Sequence, residues 1–409
     1  MLAVVYSQRS RPWMEIVDAA ADVCRLLWIV DEQKLDTATR VVLRRLGTVV
    51  NAEGCTPEEL IMLVHAERPD GITSYFDPDL HRQAWLASAL GLPGSSVRTV
   101  ALLNDKLLQR KALDAAGVPV PRFSEVHEQV DEGEIERLCK AVRFPALLKP
   151  RNGTMCRGIH LVESKSELVR ALTDADHPSQ MILEERMEDL PPTGAPYADR
   201  LTVETIVDHG VFSHLGVTGL FPMVPPFRSS GGFFPADVPA SDIPELFDLA
   251  TASIKALGSD FGFYRTEIKL TPVGRRIIEI NGRPTGLTPA TVRLASGVPL
   301  LQLTMRLALG EHVVVEGPLP CRRIAYRFYR EPPLSATRVV GVSGLDRLKE
   351  RPGVLQIDVQ KEVGDPVDWR NGSLDRIFQV TGAVDDYAEL ADHYAACTVN
   401  ADVTYEHEA

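Results

Sequence analysis

No apolar run in this chain is long enough to span a membrane, and its first residues show no leader-peptide pattern, so a soluble, cytoplasmic protein is expected. A basic excess is missing too. With 44 Lys and Arg against 56 Asp and Glu, the formal net charge is -12. That argues against a general nucleic-acid binder but not against a small anionic ligand, which needs only local positive charge. The six cysteines (Cys24, Cys55, Cys139, Cys156, Cys321 and Cys397) are scattered without CxxC spacing. Neither a disulfide framework nor a zinc site is therefore expected. The stretch Ser7-Gln-Arg-Ser-Arg-Pro12, after the first apolar run, is no GxGxxG fingerprint, and GxxxxGK(S/T) is absent. No Ser-His-Asp or Cys-His arrangement is recognisable, so a protein nucleophile is not indicated.

What is present is an ordinary globular composition, 44% hydrophobic and 24% charged over 409 residues, enough for two to four folding units. Short apolar runs at 2–6, 27–30, 49–50 and 71–74 alternate with helical patterns at 14–27, 41–46, 57–66 and 82–90. Such alternation implies a parallel sheet covered on both faces. Residues 1–103 are read as a doubly wound, Rossmann-like domain without the usual dinucleotide. Residues 104–315 form a central unit. Residues 316–409 form a third unit of short strands and turns, to which no chemistry is assigned.

Chemistry concentrates in residues 264–284. Ile268 and Leu270, then Ile277, Ile278 and Ile280, flank Thr271-Pro-Val-Gly-Arg275 and predict a hairpin. A turn centred on Val273 sets Glu267 opposite Glu279, and strand alternation puts Glu267, Lys269, Glu279, Asn281 and Arg283 on one face. Facing carboxylates repel. A divalent cation reconciles them, since Mg²⁺ takes oxygens from one or two carboxylates. Asn281 adds a neutral oxygen, and Arg283 a fork for phosphate or carboxylate. The alternative is a solvated hairpin whose acids pair with Lys269, Arg275 and Arg276.

Asn104-Asp-Lys106 caps a helix that ends at Gly117; alone, Lys106 reads as an exposed helix lysine. The strand Ala146-Leu-Leu-Lys-Pro150 leads into Arg151-Asn-Gly-Thr-Met-Cys-Arg-Gly158. Such a loop can turn backbone N–H groups toward phosphate oxygens with Lys149 as a point charge, or it is a plain glycine turn. Met181-Ile-Leu-Glu-Glu-Arg-Met187 reads as a strand entering a hinge, 188–200 as a loop, and 201–207 with 211–219 as a hairpin. Residues 221–239, rich in Pro, Gly and Phe, read as a loop lining a pocket. Arg228 within it is either a substrate-carboxylate partner or a surface arginine. His209 is read as a turn residue.

In order, Asn104-Asp-Lys106, Leu148-Lys-Pro150 with its glycine loop, Leu183-Glu-Glu-Arg-Met187, Val203-Glu204, Glu267-Ile-Lys269 and Glu279-Ile-Asn-Gly-Arg283 resemble the ATP-grasp superfamily. Within it they are similar to the carboxylate–amine ligases that make dipeptides and other amides. The resemblance covers nearly the whole chain and implies an α/β fold: a Rossmann-like N-terminal domain, a central ATP-grasp domain of two α+β subdomains, and a small α+β C-terminal domain. The central domain would divide into a nucleotide lid, 104–185, and a metal and substrate subdomain, 186–315. ATP and Mg²⁺ are the implied cofactors, with Mn²⁺ as a substitute. Lys106 and Lys149 would hold ATP phosphates beneath Gly153, Thr154, Cys156, Arg157 and Gly158. The hinge residues Glu184, Glu185 and Met187 would receive adenine, largely through their backbone, with Glu204 also on the nucleotide. Glu267, Glu279 and Asn281 would bind metal. Arg283, with Lys149, would be catalytic, steadying an acyl phosphate and the tetrahedral intermediate after it. Arg228, Ser229, Gly231, Gly232, Arg283 and Gly286 would meet substrate. The implied partners are a small carboxylic acid and an amine or amino acid, bound by a homodimer without nucleic acid or membrane, in small-molecule or natural-product biosynthesis.

Three departures from that pattern qualify it. Cys156 stands where a small hydroxyl residue is common. Asp199-Arg200 stands where relatives often have a glutamate for ribose. The segment Phe227-Arg-Ser-Ser-Gly-Gly-Phe-Phe-Pro235 lacks the Glu and Gly-His pair that faces the first amino acid in dipeptide-forming relatives. The activated acid is therefore expected not to be a simple α-amino acid. The competing readings are a biotin-carboxylase-like or purine-pathway enzyme and a catalytically silent nucleotide-binding module.

Overall fold

Four parallel strands open the chain, in the spatial order Thr48–Asn51, Leu26–Val30, Leu2–Val5, Gly71–Ser74. The computed structural model describes residues 1–8, 10–154, 156–175, 177–190, 197–399 and 401–408. Pro191, Pro192, Gly194 and Pro196 of the expected loop 188–200, and Met155 of the glycine loop, lie outside them. The two central strands are buried along their whole length, as strands covered on both faces require. Helices Pro57–Ala66 and Leu80–Leu90 cover one face, burying Leu60, Val64, Leu86 and Ala87. Pro57–Ala66 starts where the sequence dictates, with Thr56 and Glu59 closing a capping box around Pro57. The other face takes Trp13–Ala20 and, from far downstream, Leu300–Ala308 through Leu301, Met305 and Ala308.

Residues 123–185 build a four-stranded antiparallel sheet, ordered Phe123–Glu125, Met181–Glu185, Ala146–Pro150, His160–Val162. Helices Glu132–Ala141 and Lys165–Thr173 pack on it through Ile135, Leu138, Leu168 and Leu172. This small lid carries its own core.

The largest element is an eight-stranded sheet. Its order is Gly274–Asn281, Gly262–Thr271, Arg200–Asp208, Val211–Leu220, Gly231–Phe234, Ile324–Arg330, Phe378–Val384, Val354–Val359. Three of the five described strands in residues 316–409 extend this sheet, while Ala336–Ser343 and Asp402–His407 pair with each other in a small sheet of their own. One expectation needs correction here. The stretch 221–239 is not wholly loop, because Gly231–Phe234 joins the two halves of that sheet by pairing with both Val211–Leu220 and Ile324–Arg330. Gly231 is required at that junction. Its φ is +113°, and a Cβ there would lie 1.9 Å from the Arg327 carbonyl oxygen.

The expected hairpin spans Gly262–Thr271 and Gly274–Asn281, and Glu267 does face Glu279. Near the turn the pairs are Thr271 with Gly274 and Ile268 with Ile277, so the turn is centred half a residue before Val273. A bulge between Glu267 and Ile268 restores the half residue.

Candidate active site

Helix Lys106–Ala115 organises one end of a long cleft between the lid and the large sheet. Its N-cap Asp105 accepts from the N–H groups of Leu107 (2.9 Å) and Leu108 (3.1 Å) and takes Arg151 Nη2 at 2.6 Å. The Lys106 N–H donates to Arg151 O at 2.9 Å. Helix start and glycine-loop root are thus tied together.

Residues three and four apart share a helix face, and Lys106, Gln109 and Arg110 all turn toward the hairpin. The Gln109 amide donates to Ile280 O (3.0 Å) and accepts from Ile280 N–H (2.9 Å), covering part of the sheet's outer edge. Arg110, 1% exposed, donates to Ile278 O and lies 3.0 Å from Glu184 Oε1. Lys106 Nζ lies 2.9 Å from Glu279 Oε1 and donates to Gly153 O at 2.7 Å.

Lys149, buried at the end of its strand, sits 2.7 Å from Glu184 Oε2. Burial lowers the Lys149 pKa despite Glu184, with Arg110 and Lys106 adding to the shift. Burial opposes ionisation of Glu184 as well, but Arg110 and Lys149 outweigh it and hold that carboxylate below its ordinary range. The Glu184 side chain therefore braces two cations. The Glu185 carboxylate accepts from Arg122 N–H at 2.9 Å. Neither Glu185 nor Met187 is among the residues lining this cleft.

Glu267, Glu279, Asn281 and Arg283 all line the cleft. Lys106 occupies one oxygen of Glu279, and Arg265 Nη1 one oxygen of Glu267 at 2.9 Å. Burial works to raise the Glu279 pKa, yet Lys106 and then Lys149 hold it below the carboxylate range. Glu267 Oε2, Glu279 Oε2 and Asn281 Oδ1 have no hydrogen-bond partner among the described residues, and none is sealed from solvent. Two anionic oxygens and one neutral oxygen suit a hard cation such as Mg²⁺, which completes its shell with water and phosphate. The donor set fits the metal that the sequence implies.

Glu204 is corrected. It is fully buried under the cleft floor, with Oε1 accepting from Thr202 (2.8 Å) and Thr218 (3.0 Å) and lying 3.4 Å from Arg265 Nε. Burial pushes its pKa up. It reaches Glu267 through Arg265 and does not touch the cleft. Arg283 is anchored from the N-terminal domain, its Nε donating to Asp77 Oδ1 at 2.8 Å and its Nη2 to Oδ2.

The glycine loop contributes Gly153, Thr154, Cys156 and Arg157 to the cleft, while Gly158, at φ +69°, packs on Pro150. Ser229 and Gly286 line the cleft as expected of substrate residues. Arg228 does not. It is buried, donates twice to Pro225 O (2.9 and 2.7 Å) and lies 3.8 Å from Glu331. Gly231 and Gly232 serve close strand approach, the latter against the Gly219 carbonyl.

Several residues came without a sequence signal of their own: Asp77, Arg265 and, from the C-terminal unit, Arg327, Tyr329, Gln360, Arg376 and Gln379. Gln109 and Arg110 were missed as well, although their spacing of three and four from Lys106 on one helix would have found them.

No family model matches the chain. It is 28% identical over 318 residues to the uncharacterized protein y4rH of Sinorhizobium fredii, covering 75% of this chain and 62% of that protein. It is 30% identical over 282 residues to carnosine synthase 1 of Gallus gallus, covering 63% of this chain but 29% of that protein. The chain thus spans less than two thirds of either relative. Its structure matches the L-amino acid ligase of Bacillus licheniformis with a TM-score of 0.78 at 20% identity, over 99% of this chain and 98% of that one. On its sheets and this whole-length likeness, the chain shares the fold of that L-amino acid ligase.

Proposed function

We propose that the protein is an ATP- and Mg²⁺-dependent ligase joining a small carboxylic acid to an amine or amino acid, with ADP and phosphate as the other products. The observation that carries this reading is convergence. Lys106 from a helix start, Lys149 from a lid strand, and Glu267, Glu279, Asn281 and Arg283 from one hairpin and its exit all line one cleft. The likeness to an L-amino acid ligase and to a carnosine synthase supports it.

The chemistry needs two displacements. A substrate carboxylate oxygen attacks the γ-phosphorus of ATP and expels ADP; the amine then attacks the acyl carbon, loses a proton and expels phosphate. Lys106 and Lys149 neutralise charge growing on the phosphate oxygens. Arg283, fixed by Asp77, offers its fork to the acyl phosphate and to the oxyanion that follows. Glu267, Glu279 and Asn281 would hold Mg²⁺, which would supply positive charge to offset that of the phosphates. The loop 152–158 keeps water from the acyl phosphate. A role in natural-product biosynthesis, a homodimeric state and a cytoplasmic location belong to the same proposal; among the described residues, no helix is long and apolar enough to cross a membrane.

The test is release of ADP and phosphate from Mg·ATP against a matrix of acids and amines, with products weighed. Release that needs both partners supports the ligase. Release with bicarbonate and biotin points to a carboxylase, and ATP binding without release under any pairing points to a binding module.

A further inference from the structure

The C-terminal unit, where the sequence showed no chemistry, supplies a wall of the cleft. Side chains alternate along Ile324–Arg330: Tyr326 and Phe328 enter the C-terminal core, while Arg327 and Tyr329 face the cleft. On the neighbouring strand Thr381 pairs with Arg327 and Gln379 with Tyr329, so Gln379 and Thr381 share that face.

Arg327 is 8% exposed, and its partners are neutral: Nε donates to Thr381 Oγ1 at 3.0 Å and Nη1 to Gly286 O at 2.8 Å. Among the described residues no carboxylate lies within 4.0 Å of it, and its Nη2 has no hydrogen-bond partner and is not sealed from solvent. A guanidinium so buried normally has an anion beside it. Beside it Arg376 stacks on the Tyr329 ring, 3.6 Å from the centroid, with Nε on Glu331 (2.8 Å) and Nη2 on Ser373 Oγ (2.9 Å). Glu331 is shared with Arg228 behind the wall. Three arginines (Arg228, Arg327 and Arg376) thus stand against one carboxylate, leaving an excess of two positive charges. The wall adjoins Gly286, just downstream of Arg283, so it faces the substrate end of the cleft.

We propose that Arg327 and Arg376 form an anion subsite for a carboxylate the reaction does not consume, so that one substrate arrives with a spare carboxylate. This rests on the ligase reading for its place in the reaction. The spare group belongs either to an amino acid serving as amine or to a dicarboxylic acid serving as acyl donor, and the probes distinguish the two.

The experiment is calorimetric titration of the full chain, loaded with Mg²⁺ and a non-hydrolysable ATP analogue. One series uses glycine, β-alanine, γ-aminobutyrate and L-alanine, each against its amide. The other uses succinate and glutarate, each against its monoamide. The acids of one series bind roughly tenfold to a hundredfold more tightly than their amides, the range for hydrogen bonds to a charged group. Arg327→Met abolishes that preference, Arg327→Lys restores part of it, and Arg376→Gln weakens it. All three variants keep the affinity for the ATP analogue, which shows that they fold. Equal binding of acid and amide, binding of no acid in either series, or an unchanged preference in Arg327→Met would overturn the proposal. The ligase reading fails separately, if acids bind through Arg327 yet no acid–amine pair releases ADP.

Discussion

The two ends of the cleft handle charge in opposite ways. At the end proposed to hold phosphate the main cations are already matched: Lys106 by Glu279, Lys149 and Arg110 by Glu184, Arg265 by Glu267, Arg283 by Asp77. At the C-terminal wall Arg327 has neutral partners only. A matched cation is held in place at low cost and can exchange one anion for another as phosphate enters. An unmatched one selects for a ligand that brings its own anion. The first arrangement suits a substrate common to many enzymes. The second suits the substrate that sets this one apart.

Breaking the matched end produces the largest effects. Glu279→Gln removes the charge of one proposed metal oxygen and leaves Lys106 without its anion; ADP release falls by about a thousandfold, measured at saturating Mg·ATP with circular dichroism unchanged. Arg110→Met strands Glu184 with Lys149 alone and frees Ile278 O. Unfolding free energy drops by about 3 kcal/mol in urea titration, the low end for a broken buried pair because Lys149 still faces the carboxylate.

Asp79 tests the comparison from the acidic side, because burial raises its pKa from 3.8 to about 6 despite the Ser7 hydroxyl and Arg82. A carboxyl whose folded pKa lies above its unfolded one stabilises the fold most when protonated, and that contribution is lost as pH rises from about 4 to about 6. Asp79→Asn does not titrate. Its advantage over the parent grows across that window to about 3 kcal/mol and is flat above it, as thermal melts at several pH values will show. The smallest effect belongs to Asp105→Ala, which loses the N-cap and the Arg151 contact: about 1 kcal/mol of stability, with a several-fold rise in KM for ATP. If Asp105→Ala cost more activity than Glu279→Gln, the matched pairs would not be the core of the phosphate end.

At the matched end Lys106, Lys149 and the hairpin groups were legible because they lie in short contiguous runs, whereas their partners Asp77, Arg110 and Arg265 were not. Glu267 and Glu279 flank one turn, and their pairing survived a turn placed half a residue off because the bulge beside Ile268 compensates. Asp105 announces itself as a cap. Glu204 misled because strand position does not reveal which residues lie beneath a floor; only burial against Thr202, Thr218 and Arg265 does. The C-terminal wall was illegible for a different reason. Gly231–Phe234 is too short for a periodic signal, and it is this strand that carries the sheet across to Arg327. Without that link Arg327 is one arginine in an apolar strand, and Arg228 is the more visible candidate for substrate.

The most direct test remains product formation. With Mg·ATP, one carboxylic acid and one amine, the account predicts equimolar ADP and phosphate, together with a product lighter than the two substrates' sum by one water. ATP that binds in this cleft but is never split under any acid–amine pairing, with Glu279→Gln binding it equally well, would contradict it.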